Sequence, residues 1–241
     1  VTDGGCDFYK PRQYLVNAFR TDADGHSLFD TFNNKDYDKS EDYADPRLFL
    51  TVGIPGLPYE FNKNFIMDES STWSRSNGLY GYYVTLKQNV DPESGYRYAD
   101  VMLERAEAYA QLGESSKAIT LVNDIRKRAK QSTGMIANYP SDYGVKFNIS
   151  TYDGSFSKEE ALKIVKMERR LEMGMESERF FDLVRWGEAD TVLNKYFAGE
   201  SDNCSIYGAA HFTKNKNEYL PIPYSQVAAS NGHYTQNIGE W

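Results

Sequence analysis

The chain has 241 residues, with 27 Lys and Arg against 35 Asp and Glu, for a formal net charge of −8. That balance argues against a nucleic-acid backbone or an anionic membrane as the main partner, because both need a basic field. Three His and two Cys are too few for a metal site of soft ligands, whereas the 15% aromatic content supplies rings of the kind that binding surfaces use.

Residues 1–96 read as irregular. Asp22-Ala23-Asp24-Gly25, Asp45-Pro46 and Ile54-Pro55-Gly56-Leu57-Pro58 are turn signals. A short helix is expected near Gln13–Phe19, and Tyr80–Leu86 is β-branched and aromatic enough for one strand. Val1–Gly5 shows no leader pattern, and Cys6 lacks the apolar approach of a lipidated bacterial Cys. Cys6 and Cys204 read as two separate thiols. No run approaches the roughly 20 apolar residues of a membrane span.

Residues 97–130 change character. Ala99, Met102, Leu103, Ala106, Tyr109 and Ala110 recur at helical spacing until Gly113. Ser115 or Ser116 can cap a second helix carrying Ala118, Val122, Ile125 and Ala129 on one face. Glu107–Gly113 followed by Ala118-Ile119 matches the centre of a tetratricopeptide repeat of about 34 residues; an ordinary helical hairpin is the plainer alternative.

A second aromatic loop, residues 131–156, holds Tyr139, Tyr143, Phe147 and Tyr152. Ser157-Lys158-Glu159-Glu160 is a capping box opening a helix to about Met173, with a kink or break at Gly174 and helix again to Trp186-Gly187. The tail, residues 214–241, reads as extended, because Pro221 and Pro223 each remove a backbone donor.

Catalytic chemistry is thinly represented. The densest ionic run is Glu168–Glu172 with Glu176, Glu178, Arg179, Asp182 and Arg185, of which Glu176, Arg179, Asp182 and Arg185 line one helical stripe. Two of these carboxylates could be a glycosidase pair, but each has an Arg within helical reach, which lowers a pKa that an acid catalyst needs raised. A structural ladder with Arg126 and Arg128 as outside partners is the better reading. Asp22, Asp24 and Gly25 suit a turn better than a calcium loop. No nucleophile elbow, zinc-protease pair or phosphate loop is present.

Taken together, the motifs resemble the SusD/RagB family. The matching residues are Tyr96–Leu103 running into Ala106-Glu107-Ala108, Glu168–Glu172 with Glu176 and Arg179, and Phe181–Gly187. Pro221-Ile222-Pro223 with Gln236-Asn237 completes the set, and Tyr9-Lys10-Pro11, Asp24-Gly25 and Asp45–Leu48 follow family order. Ser177 departs from the usual Gly, which a helix would tolerate. The resemblance implies a mainly α fold: a tetratricopeptide-like hairpin (97–130) plus long helices (157–186), with large irregular aromatic loops, few short strands and an extended tail (214–241). It implies a non-catalytic, surface-exposed outer-membrane lipoprotein that needs no cofactor and passes oligosaccharides to a SusC-type TonB-dependent transporter. It also implies an amino-terminal half, with leader, lipidated Cys and earlier repeats, that would be a further partner for this carboxyl-terminal half.

Sugar binding calls for flat rings flanked by amide or guanidinium donors. Residues 59–83 supply Tyr59, Phe61, Asn62, Asn64, Trp73, Arg75, Asn77, Tyr80 and Tyr82, and the expected glycan contacts are Trp73, Arg75, Asn77, Tyr59, Tyr80 and Tyr82. Trp73 leads because the Ser, Thr, Arg and Asn residues around it are too polar to bury it. A tetratricopeptide-like scaffold for a protein ligand and a carbohydrate-active enzyme are the competing readings. An uncovered repeat face is also expected either to expose an apolar patch or to bury it in a partner chain, the patch including side chains such as Met102, Tyr109 or Leu121.

Overall fold

The structure, a computed structural model, describes residues 11–59, 62–66, 83–84, 96–132 and 144–239. The chain forms two compact units, Val1–Ser177 and Glu178–Trp241.

In the first unit the amino-terminal stretch is more regular than its turn residues suggest. Helix α1 (Gln13–Ala18) leads into β1 (Arg20–Thr21), which pairs antiparallel with β2 (Tyr43–Ala44). Helix α2 (Arg47–Thr51) follows Asp45, whose carboxylate accepts from the Arg47 backbone N–H at 3.0 Å. It runs straight into β3 (Val52–Gly53). A small hairpin, β4 (Pro58–Tyr59) with β5 (Asn62–Ile66), comes next. β6 (Tyr83–Val84) then returns antiparallel to β3. β6 falls inside the strand expected at Tyr80–Leu86; α2 and the two-residue strands had no periodic signature.

The centre of this unit is three packed helices. Helix α3 (Tyr98–Gln111) ends at Gly113, whose φ of +78° is the left-handed conformation that glycine adopts without a Cβ penalty. Helix α4 (Ser115–Ser132) begins directly after Glu114, so neither Ser115 nor Ser116 precedes it as the expected cap. Ala106, Ala110 and Ala118 are fully buried, and small side chains let helices approach closely. β7 (Lys146–Phe147) lies parallel to β2 within the stretch expected to be loop.

Helix α5 (Lys158–Glu172) opens with the expected capping box. The Ser157 backbone N–H donates to Glu160 Oε2 at 2.8 Å, and the Glu160 N–H donates to Ser157 Oγ at 3.2 Å. Hydrogen bonding from the Ser157 backbone N–H and side chain holds the Glu160 carboxyl below its ordinary pKa. Ala161, Ile164 and Val165 of α5 join Leu103, Val122 and Ile125 in one core.

Met102, Tyr109 and Leu121, expected to be uncovered, pack half-buried against that core. Cations cover Tyr109 from outside: Arg105 Nη2 donates to its hydroxyl at 2.7 Å, and Lys117 Nζ sits 5.2 Å from the ring centre. The exposed large apolar side chains along α3 are instead Tyr98, Val101 and, at its C-terminal cap, Leu112, one stripe on its outer face.

After α5 the helix does break, but the strain lies beyond Gly174. Met175 and Ser177 adopt φ of +67° and +71°, so Glu176 does not continue the helical stripe and Ser177 is not in a helix. A non-glycine residue in this region costs about 1–2 kcal/mol. Ser177→Gly should therefore stabilise the protein by about 1 kcal/mol and raise the melting temperature by about 2–4 °C. A lowered melting temperature in a thermal scan would contradict that backbone assignment.

The second unit holds α6 (Arg179–Arg185), α7 (Ala189–Glu200), a 3₁₀ turn (Ser205–Ala209) and α8 (Tyr224–Ala229). α6 matches the resumed helix; α7 had no expectation, and α8 interrupts the tail expected to be extended. Leu183, Ala189 and Phe212 form its core, and Cys204 is a free buried thiol. The Asn194 side chain pairs with both backbone groups of Phe212, at 3.0 and 2.8 Å. Gln236 does the same for Ile222, at 2.7 and 2.8 Å, fixing the Pro221-Ile222-Pro223 segment. No helix among the described residues is long and apolar enough to cross a membrane.

Candidate functional site

The strands above fix the ends of the aromatic segment expected to contact glycan. Tyr59 lies in β4, its backbone opposite Asn62 of β5, and the chain returns at Tyr83, opposite Gly53. Residues 59–83 thus leave from a hairpin and come back beside the strand that continues α2. Trp73, Arg75, Asn77, Tyr80 and Tyr82 lie outside the described residues, as does Phe61, so their expected grouping with Tyr59 stays a reading of the sequence.

Beneath α2 the ionic residues of the sequence meet. Arg47 is bidentate on Asp45, through Nε at 2.9 Å and Nη2 at 2.6 Å. Its Nη1 also reaches Glu168 at 2.7 Å and Glu172 at 3.0 Å. Arg126 Nη1 donates to the other oxygen of Glu168 at 2.9 Å. Glu172 receives Arg97 at 3.1 Å and Arg128 at 2.5 Å, and Arg97 forks onto Glu176 at 2.6 and 2.9 Å. Arg169 closes on Asp100 at 2.5 Å.

Five carboxylates therefore meet five guanidinium groups, all buried except Arg97, Arg128 and Glu176. Burial opposes the charge on Arg47, but Asp45, Glu168 and Glu172 outweigh it and raise its pKa well above the ordinary value. Burial likewise opposes Arg97, and Glu176 and Glu172 raise it. This arrangement suits a lock between elements, because a general acid needs an isolated carboxyl. Arg126 and Arg128 are the outside partners expected from the sequence; Arg47, Arg97, Asp45 and Asp100 were not foreseen as members. Asp182 and Arg185 pair along α6, with Arg185 Nη2 donating at 2.9 Å.

A cleft of about 870 Å³ opens on the other side of Arg126. One wall is the turn at Asp22, whose Oδ1 accepts the N–H groups of Asp24 at 3.0 Å and His26 at 2.8 Å. Gly25, with φ +85°, sits so close to the neighbouring segment that a Cβ would lie 2.8 Å from the Ser150 nitrogen. Its carbonyl accepts Arg126 Nη2 at 2.7 Å. Tyr152 also lines the cleft, clamped by the Asn123 side chain through both its backbone N–H and carbonyl, at 2.8 and 2.9 Å.

Rings surround Tyr152. His26 stacks on it at 5.2 Å, Phe156 meets it edge-on at 6.3 Å, and Phe29 lies at 6.2 Å. Arg126 covers the ring at 4.6 Å. Tyr152 was visible in the sequence as one ring of an aromatic loop, but nothing local linked it to His26 and Phe29, more than 120 residues earlier.

Comparison with known proteins places the chain. The family model described as "SusD family" matches residues 1–241. The SusD-like protein P38 of Formosa agariphila is 35% identical over 158 residues, covering 56% of this chain and 29% of that protein. The SusD-like protein P2 of the same organism is 27% identical over 144 residues, covering 59% of this chain and 25% of that protein. The chain therefore spans under a third of the length of these curated relatives. The crystal structure of a SusD homolog from Bacteroides thetaiotaomicron superposes with a TM-score of 0.57 at 19% identity, over 82% of this chain and 41% of that one. At that identity the likeness shows a shared, mainly helical fold. With its family match running from the first residue to the last, this chain belongs to the SusD family.

Proposed function

We propose that the protein is a non-catalytic glycan-binding component of a bacterial nutrient-uptake system. It would be exposed at the outer-membrane surface and deliver oligosaccharides to a SusC-type TonB-dependent transporter. The observation that carries this reading is membership of the SusD family across residues 1–241. The aromatic and donor-rich segment at 59–83 adds the chemistry: Trp73, Tyr59, Tyr80 and Tyr82 as rings for pyranose faces, Arg75 and Asn77 as donors to hydroxyls.

The tetratricopeptide-like scaffold reading has one supporting observation, the exposed stripe of Tyr98, Val101 and Leu112 on α3. That stripe suits packing against further repeats of the amino-terminal half that the family resemblance implies. The enzyme reading is disfavoured by the pairing of Glu168, Glu172 and Glu176 with arginines.

Affinity electrophoresis against a panel of polysaccharides tests the proposal. At least one neutral polysaccharide should retard the protein, and no reducing sugar should appear on incubation with it. Reducing sugar released by the parent and abolished by Glu176→Gln would replace the binding reading with the enzymatic one.

A further inference from the structure

The cleft beside Arg126 lies within the range of about 300–1,000 Å³ typical of small-molecule sites, and three observations indicate what suits it. The first is an unanswered polar atom. Ser27 lines the cleft, is only 4% exposed, and its Oγ has no hydrogen-bond partner in the protein. A buried hydroxyl left unpaired is costly, and a ligand hydroxyl at the cleft floor would answer it.

The second is strain. Phe29 holds φ at +43°, a conformation that a bulky residue rarely adopts, and its ring is half-buried beside Tyr152. The two phenyl rings give the cleft apolar faces beside a protonated phenol, because burial raises the Tyr152 pKa.

The third is charge. Asp22, Asp24 and Asp153 stand against Lys127 and Lys130, while Glu168 neutralises Arg126. A lining of both signs and little net charge does not select a strong anion. Among the described residues no three His, Cys, Asp or Glu side chains are grouped to hold a metal ion. Carboxylates that accept, ammonium groups that donate and rings that stack together match a neutral polyhydroxylated ring.

We infer that this cleft is a second carbohydrate subsite, separate in sequence from the 59–83 loop. It takes the end or a side unit of a neutral glycan, with Ser27 and Tyr152 at its floor and Phe29 and Phe156 at its walls. The assignment rests on the glycan-binding reading above and adds a place of binding to it.

Because Ser27 Oγ makes no bond within the protein, Ser27→Ala should hold or raise the melting temperature while removing a ligand contact. The test is calorimetric titration of the 241-residue chain with neutral disaccharides (maltose, cellobiose, xylobiose and mannobiose), using the parent, Ser27→Ala, Phe156→Ala and Trp73→Ala. The chain is also labelled with ¹⁵N for amide-shift mapping. For a disaccharide that the parent binds, Ser27→Ala and Phe156→Ala should each weaken binding roughly tenfold. The shifts should cluster at Ser27, Thr151 and Asp153, and that cluster should persist in Trp73→Ala whatever this variant does to binding by the 59–83 loop. Should Phe156→Ala fail to fold, Ser27→Ala and the shift map decide.

A parent that binds a disaccharide while Ser27→Ala is unchanged and the cleft amides stay still overturns the second subsite alone. A parent that binds no disaccharide of this panel also overturns it, and a parent that additionally ignores every polysaccharide overturns the function proposed above.

Discussion

Glu168→Ala should destabilise the first unit by about 3–5 kcal/mol, a large share of the 5–15 kcal/mol typical of a whole domain. The carboxylate is 1% exposed and faces two arginines, Arg47 at 2.7 Å and Arg126 at 2.9 Å, whose side chains are 5% and 0% exposed. Removing it takes the carboxylate partner from the buried Arg126 and one of three from Arg47, and Arg126 also organises Gly25 and Ser150 through their carbonyls. The destabilisation would therefore spread into the cleft wall. Glu176→Gln is the calibrating variant. Its partner Arg97 is 26% exposed, so water softens the loss, and about 1–2 kcal/mol is expected. Urea unfolding should show a lower midpoint for both variants at constant slope, with Glu168→Ala far below Glu176→Gln. Equal midpoints for the two variants would mean that the cluster is not the lock described here.

How much of this was legible in the sequence depended on the range of the determining interactions. The hairpin of α3 and α4 was readable because Ala106, Ala110, Ala118 and Val122 are spaced by the helix itself, and Gly113 marks its own turn. The capping box at Ser157 was readable for the same reason, since both bonds span three residues. Helix α7 escaped because Gly187 looks like a terminator, and the run after it carries Thr191, Val192 and Gly199, all weak helix formers. Strands of two residues have no period to detect. Their pairing is fixed by contacts as distant as Tyr43 with Lys146.

The candidate site divides in the same way. That Glu168 and Glu172 serve a structural lock, with Arg126 and Arg128 as partners, followed from charge and helical spacing. Arg47 and Arg97 reach Glu172 across 125 and 75 residues, and no local pattern reveals such a contact. At the break, Gly174 drew notice as glycine, yet a Cβ there would meet only ordinary contacts, 3.4 Å from the Arg170 carbonyl and 3.6 Å from Phe19. The left-handed turns fall on Met175 and Ser177, side chains that give no warning of them.

The central claim is that residues 59–83 capture glycan, and the most direct test is the affinity of Trp73→Ala for a polysaccharide that binds the parent. Trp73 is the one large ring in a run of serines, threonine, arginine and asparagine, and truncating a central aromatic anchor costs about 1–3 kcal/mol. Affinity electrophoresis with the parent and Trp73→Ala side by side should show that loss, about 5- to 150-fold in dissociation constant, with the melting temperature unchanged. Undiminished retardation of Trp73→Ala in the gel would contradict the claim.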